Sequence, residues 1–426
     1  MPSDRLAHAT SVSRGILVRC HDCDLLQQVG ALRSGAVARC ARCGTTLFAC
    51  RPGGFERGFA LYLAALILLL MANAFPFMTL NAQGQTQSSH LISGVLALWR
   101  DGMWGVAVAV LLFVIVFPLA KILIGLTVLG PLAVGRSLPG TQAVYRLFDR
   151  LHPWSMTEIF LLGVLVSYTK LIALATVEVG PSLLAYVGLI VAMIAADAAV
   201  DPHDVWERLQ RAPRLPTPPR QQRRHLVGCH TCQLVSRIDQ LGGHAEALCP
   251  RCGSPLHRRK PNSLGRAWSL LLTAAMLYIP ANLYPVMTFQ SLGSGEPSTI
   301  LGGVEELIGA NMWPLALIVF VASILVPCLK LVSMCFLLLS VPARSRWRLK
   351  DRTLIYRLNE LVGRWSMVDV FVMSLLVALV QLGSLASIVP GPGIVAFGSV
   401  VVLTMLTALT FDPRLMWDAA GANDDE

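Results

Sequence analysis

The chain contains two cysteine clusters of identical spacing, C-x2-C-x16-C-x2-C, and the second begins 209 residues after the first. Each cluster is followed by about four long apolar stretches, so cluster and stretches form a unit that occurs twice. Segments that cross hydrocarbon must satisfy their backbone hydrogen bonds internally, which restricts them to helices or closed barrels. The pattern therefore favours a membrane protein over a soluble enzyme. The clusters consist of Cys20, Cys23, Cys40 and Cys43, and of Cys229, Cys232, Cys249 and Cys252.

The apolar stretches predict eight membrane-spanning helices. The chain is 54% hydrophobic and only 14% charged, whereas a soluble domain usually carries about 25% charged residues. A helix needs roughly 20 predominantly apolar residues to cross the hydrocarbon core of a bilayer. The predicted spans lie near residues 59–80, 104–130, 157–176, 181–200, 267–287, 313–340, 367–388 and 393–411.

The distribution of Lys and Arg predicts the orientation of these spans, because cytoplasmic loops carry an excess of both residues. Residues 1–58 carry 8 of them and 201–266 carry 12. Residues 81–103 and 288–312, on the other side, carry one between them, Arg100. We therefore expect both termini and both cysteine clusters in the cytoplasm. The net charge of +10 is then explained by topology and anionic lipid, and binding to nucleic acid is the less favoured explanation.

The cysteine clusters predict two zinc sites. Cytoplasmic thiols stay reduced, so two CxxC pairs favour a metal over disulfides. The 16-residue spacer allows a hairpin that brings the pairs together, and Gly44 and Gly253 follow the second pair, where a tight turn is needed. Four thiolates complete a tetrahedral shell and leave no position for a substrate. We therefore interpret each site as a structural or interaction module, with one zinc ion in each.

The duplication extends through the apolar regions, where N-x-x-P-x-M-T, P-x-x-K and W-S-M each occur twice. Each half has an even number of predicted spans, so the halves share one orientation and an axis along the membrane normal. The predicted fold is a mainly α, polytopic membrane protein of two parallel repeats, each a small β-rich zinc ribbon followed by a four-helix transmembrane bundle. We divide the chain into a first zinc ribbon (1–57), a first bundle (58–206), a linker (207–224), a second zinc ribbon (225–263), a second bundle (264–417) and an acidic tail (418–426).

Two short segments, 143–152 and 353–365, place apolar residues on one helical face and charged residues on the other. Such segments are typical of amphipathic helices that lie in the membrane interface. We expect one of them in each repeat, on the side of the cysteine clusters.

Lys121 and Lys330 lie about two-thirds of the way through their predicted spans, each three residues after a proline. Charged groups at such depth are costly and usually face an interior or a water-filled cavity. The alternative is that the lysine side chain extends to the headgroups on the cytoplasmic side.

The neighbours of Lys330 distinguish the two bundles. Ser323 and Thr404 have Val114 and Met193 at the equivalent positions of the first repeat. The second bundle can therefore assemble a network of a lysine, a carboxylate and hydroxyls that could exchange a proton. In the first bundle only part of such a network remains. The alternative for the two carboxylates is that they are solvated residues in the first turn of a helix. The predicted network comprises Lys330, Asp369, Ser366, Ser323 and Thr404, with Lys121 and Glu158 as its partial counterpart in the first bundle.

No motif for an enzymatic activity accompanies these features. The sequence has no Gly-Lys pair, which excludes a P-loop, and no H-E-x-x-H. We therefore expect a protein that is not an enzyme.

Paired cysteine ribbons followed by four-span bundles with N-x-x-P-x-M-T, P-x-x-K and W-S-M resemble the PqiA family, and within it the LetA (YebS) type. The resemblance covers essentially the whole chain. It implies an integral inner-membrane protein of a Gram-negative bacterium that moves phospholipid in concert with a periplasmic MCE protein similar to LetB. It also implies that the network around Lys330 is the functional centre of the second bundle.

Two functions explain these features best, since a small-ion or drug exporter would fit the charges within the membrane but leave the duplicated ribbons unexplained. The first is a component that moves lipid between the inner membrane and a periplasmic MCE tunnel, with proton movement through the Lys330–Asp369 pair as one energy source. The second is a membrane anchor and assembly factor that transports nothing and recruits partners through its ribbons. An anchor does not need a buried Lys330, so that residue distinguishes the two.

Overall fold

The computed structural model describes residues 15–422 except 31, 52, 83–84, 137, 173–175, 211–224, 238–246, 292–293, 310, 364 and 381–386. Most of the predicted linker and the last four residues of the predicted acidic tail lie outside the described residues.

The helices confirm a mainly α fold made of two repeats. The first repeat contains α1 (Gly54–Ala74), α2 (Ser93–Arg100), α3 (Trp104–Leu111), α4 (Phe117–Ala133), α5 (Thr141–Leu151), α6 (Thr157–Leu171), α7 (Pro181–Ala199) and α8 (Pro202–Leu209). The second contains α9 (Ser263–Leu283), α10 (Ile300–Gly309), α11 (Trp313–Phe320), α12 (Val326–Ser340), α13 (Leu349–Val362), α14 (Val368–Leu379), α15 (Gly393–Thr410) and α16 (Arg414–Ala419).

Short strands precede and interrupt these helices. The ribbons contain β1 (Ile16–Arg19), β2 (Leu26–Val29), β3 (Val37–Arg39), β4 (Thr46–Ala49), β8 (Leu226–Gly228) and β9 (Val235–Arg237). The repeats add β5 (Met78–Ala82), β6 (Gln85–Ser89), β7 (Thr176–Val179), β10 (Met287–Ser291), β11 (Ser294–Ser298) and β12 (Ser387–Pro390). The ribbon strands form antiparallel pairs β1–β2, β3–β4 and β8–β9.

Seven of the eight predicted spans coincide with helical segments of the described residues that are long and apolar enough to cross a membrane. The third predicted span, 157–176, is helical only as α6, and the seventh, 367–388, only as α14, which joins the segment Leu349–Leu379. Both helices end early because the chain continues into a strand that pairs within a sheet.

These sheets, which the sequence did not reveal, lie at the end of each bundle away from the ribbons. Each is antiparallel and three-stranded, in the orders β6-β5-β7 and β11-β10-β12. Gly180 and Gly391 follow the last strand of each sheet, and a Cβ there would lie 2.1 and 2.2 Å from the carbonyl oxygens of Pro76 and Pro285. The glycines therefore allow the chain to pack against the proline of each N-x-x-P-x-M-T motif.

The two repeats share one core. Nearly every residue of α14 is buried, because this helix packs against α2 and α6 of the first repeat. Phe371 meets Phe160 edge-on with ring centroids 5.6 Å apart. A Cβ at Gly94 of α2 would lie 2.8 Å from the carbonyl oxygen of Ser374, so the glycine permits this close approach.

Two segments of the second bundle are less covered by protein than their counterparts in the first. In the apolar windows of α1 and of Trp104–Ala133, 33% and 44% of residues are buried, whereas the corresponding windows of the second repeat have 22% in each case. The window of α15 is covered slightly more than that of α7, with 50% of residues buried against 44%. Helix α9 packs closely along α15. It meets the α11–α12 segment near the ribbon end, where Leu271 and Met334 share a buried cluster, and through Tyr278, which donates a hydrogen bond to the Ile324 carbonyl at 3.3 Å.

Candidate functional site: two cysteine ribbons and two buried lysines

The four cysteines of each ribbon converge on one point. In both sets the Sγ atoms all lie within 4.8 Å of one another. A tetrahedral thiolate site with metal–sulfur bonds of about 2.3 Å has sulfur–sulfur separations of about 3.8 Å. Each set therefore fits a four-coordinate metal ion. Distances of 3.5 Å join Cys20 to Cys43, Cys23 to Cys40, Cys229 to Cys252 and Cys232 to Cys249.

Residues with positive φ close the turns around these cysteines. Gly44 and Gly253 have φ of 74° and 69°, which confirms the reason for a glycine after the second CxxC. Their amides donate to the carbonyls of Cys40 and Cys249 at 2.9 and 2.8 Å. The turns thus hold the cysteine side chains on one side of each hairpin.

The end of the first ribbon that carries the four cysteines contacts the second repeat rather than the first. Arg357 of α13 donates from Nε to Asp22 Oδ2 at 2.7 Å and from Nη2 to the Cys43 carbonyl at 3.4 Å. It also donates to Thr45 Oγ1. Trp417 of α16 belongs to the buried cluster that contains the ribbon's cysteines.

The second ribbon contacts the first repeat in the reciprocal way. Its four cysteines and Leu256 belong to the same buried cluster as Tyr145 and Trp206. A Cβ at Gly253 would lie 3.8 Å from Arg146 Nη1, and Arg146 occupies the repeat position of Arg357. Each ribbon therefore covers the interfacial helix of the other repeat, which we call the crossed arrangement.

The C-terminal end of each ribbon is hydrogen-bonded to an aspartate of the repeat that follows it in the chain. The backbone amide of Lys260 donates to Asp412 Oδ2 at 3.1 Å, and that of Ala49 donates to the equivalent Asp201. Burial alone would raise the pKa of Asp412, but hydrogen bonds and the ion pair with Arg414 outweigh it and lower the pKa to about 2. Arg414 also lies 2.8 Å from His230 Nε2, so this ion pair reaches the second ribbon.

The predicted amphipathic segments are helices α5 and α13. Leu147 of α5, and Leu354 and Leu358 of α13, are about half exposed. The opposite face of α13, with Tyr356 and Asn359, is buried against the protein. Apolar faces that point outwards are what helices in a membrane interface require.

Lys121 in the first bundle is buried and paired with a carboxylate. Its Nζ lies 2.6 Å from Asp197 Oδ2 of α7, and the ring of Phe148 lies 5.9 Å away. Tyr62 of α1 donates to Asp197 Oδ1 at 2.7 Å. The sequence analysis missed Asp197 and Tyr62, which complete a charge-balanced cluster. A lone aspartate in the apolar fourth span was the available signal.

Lys330 in the second bundle is equally buried but has different partners. Its Nζ donates to Thr404 Oγ1 at 2.7 Å and to the Gly363 carbonyl at 3.1 Å. Within the described residues it forms no ion pair, and its hydrogen bonds do not include Asp369. Ala408 occupies the repeat position of Asp197, which explains why the carboxylate partner is missing.

Two further hydroxyls of the predicted network surround the same region. Ser323 and Ser366 are each 1% exposed, and neither Oγ has a hydrogen-bond partner among the described residues. The turn that carries Ser366 contacts both the turn that carries Ser323 and helix α15, which carries Thr404. Ser323 lies in a π-helical turn, Val321–Leu325, a feature common at functional sites. The hydroxyls of Ser323 and Ser366 are thus not occupied by any described residue and are able to bind another group.

The two carboxylates of the predicted network occupy different surroundings. Glu158 and Asp369 both lie in the first turn of a helix, α6 and α14. Glu158 is exposed, whereas Asp369 is half-buried. The first bundle therefore brings Lys121 to Asp197 and leaves Glu158 outside the cluster.

Comparison with known proteins identifies the family. The model of the family "Paraquat-inducible protein A" matches residues 55–210 and 264–421, one match in each repeat. The chain belongs to this family. The two matches coincide with the two halves of the membrane region, so the duplication inferred from the motifs is a duplication of the family's domain.

Within the family, the chain is 38% identical to the intermembrane transport protein PqiA of Escherichia coli over 96% of this chain and 97% of the relative. It is 32% identical to the lipophilic envelope-spanning tunnel protein A of the same organism over 95% and 92%. A probable intermembrane transport protein of Haemophilus influenzae is 26% identical over 94% and 95%. No solved structure matches the chain. The family members are named as transport proteins, which supports a transport role in a membrane for this chain.

Proposed function

We propose that this protein moves phospholipid between the inner membrane and a periplasmic MCE tunnel, with Lys330 at the centre of the transport site. The observation that carries the proposal is that, within the described residues, the buried Lys330 has no carboxylate partner and the buried hydroxyls of Ser323 and Ser366 in the same bundle have no hydrogen-bond partner. A buried amine of this kind is costly unless it binds an anion or exchanges a proton. A structural lysine would be expected to resemble Lys121, which is fully paired.

The names of two relatives support a role in transport between membranes. One relative is an intermembrane transport protein and another a lipophilic envelope-spanning tunnel protein. A lipophilic cargo suits the second bundle, where a large part of α9 and of the α11–α12 segment is not covered by protein. Lipid could reach the Lys330 region from the side through this open face.

Proton exchange would drive the transport step. In this proposal Lys330 and Asp369 exchange a proton, with Ser323, Ser366 and Thr404 as the hydroxyls that connect them. The two charged groups are not bonded to each other, so the exchange requires a water chain or a movement of α14. The first bundle does not take part, because Lys121 is held by Asp197.

The remaining parts of the proposal follow from charge and chemistry. The excess of Lys and Arg on the ribbon side supports a topology in which both ribbons and both termini lie in the cytoplasm and the protein crosses the inner membrane several times. The sheets β6-β5-β7 and β11-β10-β12 would then face the periplasm and the MCE partner. Four thiolates in a reducing compartment suit zinc, so we propose two zinc ions, one in each ribbon, with no catalytic part.

Photo-crosslinking to lipid tests this function. A photo-crosslinking amino acid at Ile324, next to Ser323, should capture radiolabelled phospholipid in cells. The matched control is Ile115, at the same repeat position and also partly buried. We expect a strong lipid adduct at Ile324 and a weak one at Ile115. Equal labelling at both positions, or none at Ile324, would support the membrane anchor instead.

A further inference from the structure

We infer that Arg357 is a positioning residue for Lys330, and that it links the first ribbon to the lysine in the second bundle. Asp22 of the first ribbon holds Arg357, and helix α13 carries this constraint to Gly363, which accepts a hydrogen bond from Lys330. The inference rests on the proposed function only where it assigns a role in transport to Lys330. The link itself is argued from the hydrogen bonds between Asp22 and Arg357 and between Lys330 and Gly363.

The ribbon end of this link consists of buried, charge-assisted hydrogen bonds. Asp22 lies between two metal-binding positions, Cys20 and Cys23, and is 4% exposed. It accepts from Arg357 Nε at 2.7 Å and from Thr45 Oγ1 at 2.8 Å. Arg357 also donates to the carbonyl of Cys43, a third metal-binding position. The position of Arg357 therefore depends on the ribbon backbone around the cysteines, which a bound metal would hold in place.

The membrane end of the link lies on the same helix. Gly363 caps the C-terminus of α13, six residues after Arg357, which is about 9 Å along a helix. Its carbonyl oxygen accepts from Lys330 Nζ at 3.1 Å. Two bonds hold α13 just before Arg357, since Tyr356 donates to the Ala408 carbonyl at 3.2 Å and Trp417 donates to Thr353 at 3.1 Å. A shift of α13 would therefore move an acceptor of the Lys330 amine.

The first bundle lacks this link, although the crossed arrangement occurs there too. Arg146 lies against the second ribbon, but the residue at the position of Asp22 is Thr231, which has no charge. Lys121 takes Asp197 as its partner instead of a carbonyl at the end of the interfacial helix. Coupling between a ribbon and a buried lysine should therefore be specific to the first ribbon and the second bundle.

The test measures the reactivity of the Lys330 amine in the purified full-length protein. Labelling with a small amine-reactive anhydride is followed over a range of pH by mass spectrometry, with Lys121 as an internal reference. Arg357→Gln should change the labelling rate of Lys330 by about threefold or more, the size expected for residues that share one network. It should shift the pH profile of that rate and leave Lys121 unchanged. Arg146→Gln should leave Lys330 unchanged.

Metal content and a second variant keep the test decisive. Both arginine variants should retain the wild-type metal content, because neither removes a cysteine. If Arg357→Gln loses metal or does not fold, the same labelling experiment is done with Asp22→Asn. This substitution removes the charge of the Asp22–Arg357 contact but keeps the shape of the side chain. The conservative Arg357→Lys should restore part of the Lys330 profile, which a purely structural role would not predict.

The inference is overturned if Lys330 labelling is the same in Arg357→Gln, Asp22→Asn and the wild type. It is also overturned if Arg146→Gln changes Lys330 as much as Arg357→Gln does. Neither outcome depends on lipid transport. A protein that does not transport lipid but shows the shifted Lys330 profile would contradict the proposed function and leave this link intact.

Discussion

Lys121 Nζ lies 2.6 Å from Asp197 Oδ2 in the first bundle, whereas in the part of the chain that the structure describes the equivalent lysine of the second bundle, Lys330, donates to a hydroxyl and a carbonyl and to no carboxylate. Two changes between the repeats produce this difference. Asp197 is replaced by Ala408, and Met193 by Thr404. One repeat therefore neutralises its buried lysine, and the other leaves the charge available.

Asp197→Asn should destabilise the protein by removing the counter-charge of the buried Lys121. The Asp197 side chain is 30% exposed, so water compensates in part and we expect about 1–3 kcal/mol. Thermal unfolding in detergent measures the change. Lys121→Met combined with Asp197→Asn should recover stability, because no buried charge is then left alone. A double variant as unstable as Asp197→Asn would contradict this explanation.

Each ribbon should bind one zinc ion. Elemental analysis of the purified protein should find close to two zinc atoms per chain, since each set of Sγ atoms fits one tetrahedral ion. Cys23→Ser should lower this number by one and destabilise the first ribbon. Cys50→Ser is the control, because Cys50 lies outside both clusters. Iron in place of zinc, or an intact protein without metal, would contradict the assignment.

The cysteines and the two buried lysines could be predicted from the sequence, whereas Asp197 could not. The spacing of the cysteines identified both metal clusters, because CxxC pairs constrain their ligands locally. The repeated Pro118 and Pro327 motifs located both buried lysines. Asp197 was missed because it has no counterpart in the second repeat, so the comparison of the halves did not draw attention to it.

Features that depend on distant pairing were not accessible from the sequence. Strand β7 pairs with β5 across about 95 residues, and its four residues, Thr-Val-Glu-Val, are too few to identify a strand by alternation alone. The crossed arrangement of the ribbons is set by contacts such as Asp22–Arg357, which are 335 residues apart. Local periodicity identifies helices well but contains no information about such contacts.

Asp149→Asn should change the pH dependence of stability. Burial, with a contribution from the Cys252 thiolate, raises the pKa of Asp149 from 3.8 to about 7. The folded chain thus holds the proton more tightly than the unfolded chain, so the stabilisation is present at low pH and is lost as pH rises through 7. Melting temperatures at about pH 5.5 and pH 8 should differ less in Asp149→Asn than in the wild type. Asp351→Asn, at an exposed carboxylate, is the control and should keep the wild-type difference.

Both ends of the chain should lie in the cytoplasm. The excess of Lys and Arg on the ribbon side predicts this orientation. Reporter fusions after Glu426 and within residues 211–224 should both give a cytoplasmic signal, and one placed between α2 and α3, at Gly102, should give a periplasmic signal. A periplasmic signal at Glu426 would be incompatible with two repeats of the same orientation.

The central claim is that Lys330, and not Lys121, is required for transport. Lys330→Ala, Asp369→Asn and Lys121→Ala can each be expressed in a strain that lacks redundant lipid transport systems, with protein levels checked by immunoblot. Outer-membrane integrity is then measured as resistance to detergent. We predict that Lys330→Ala and Asp369→Asn lose this resistance at normal protein levels, and that Lys121→Ala keeps most of it. Normal resistance with Lys330→Ala would contradict the account, because a bundle that only anchors a partner does not need this lysine.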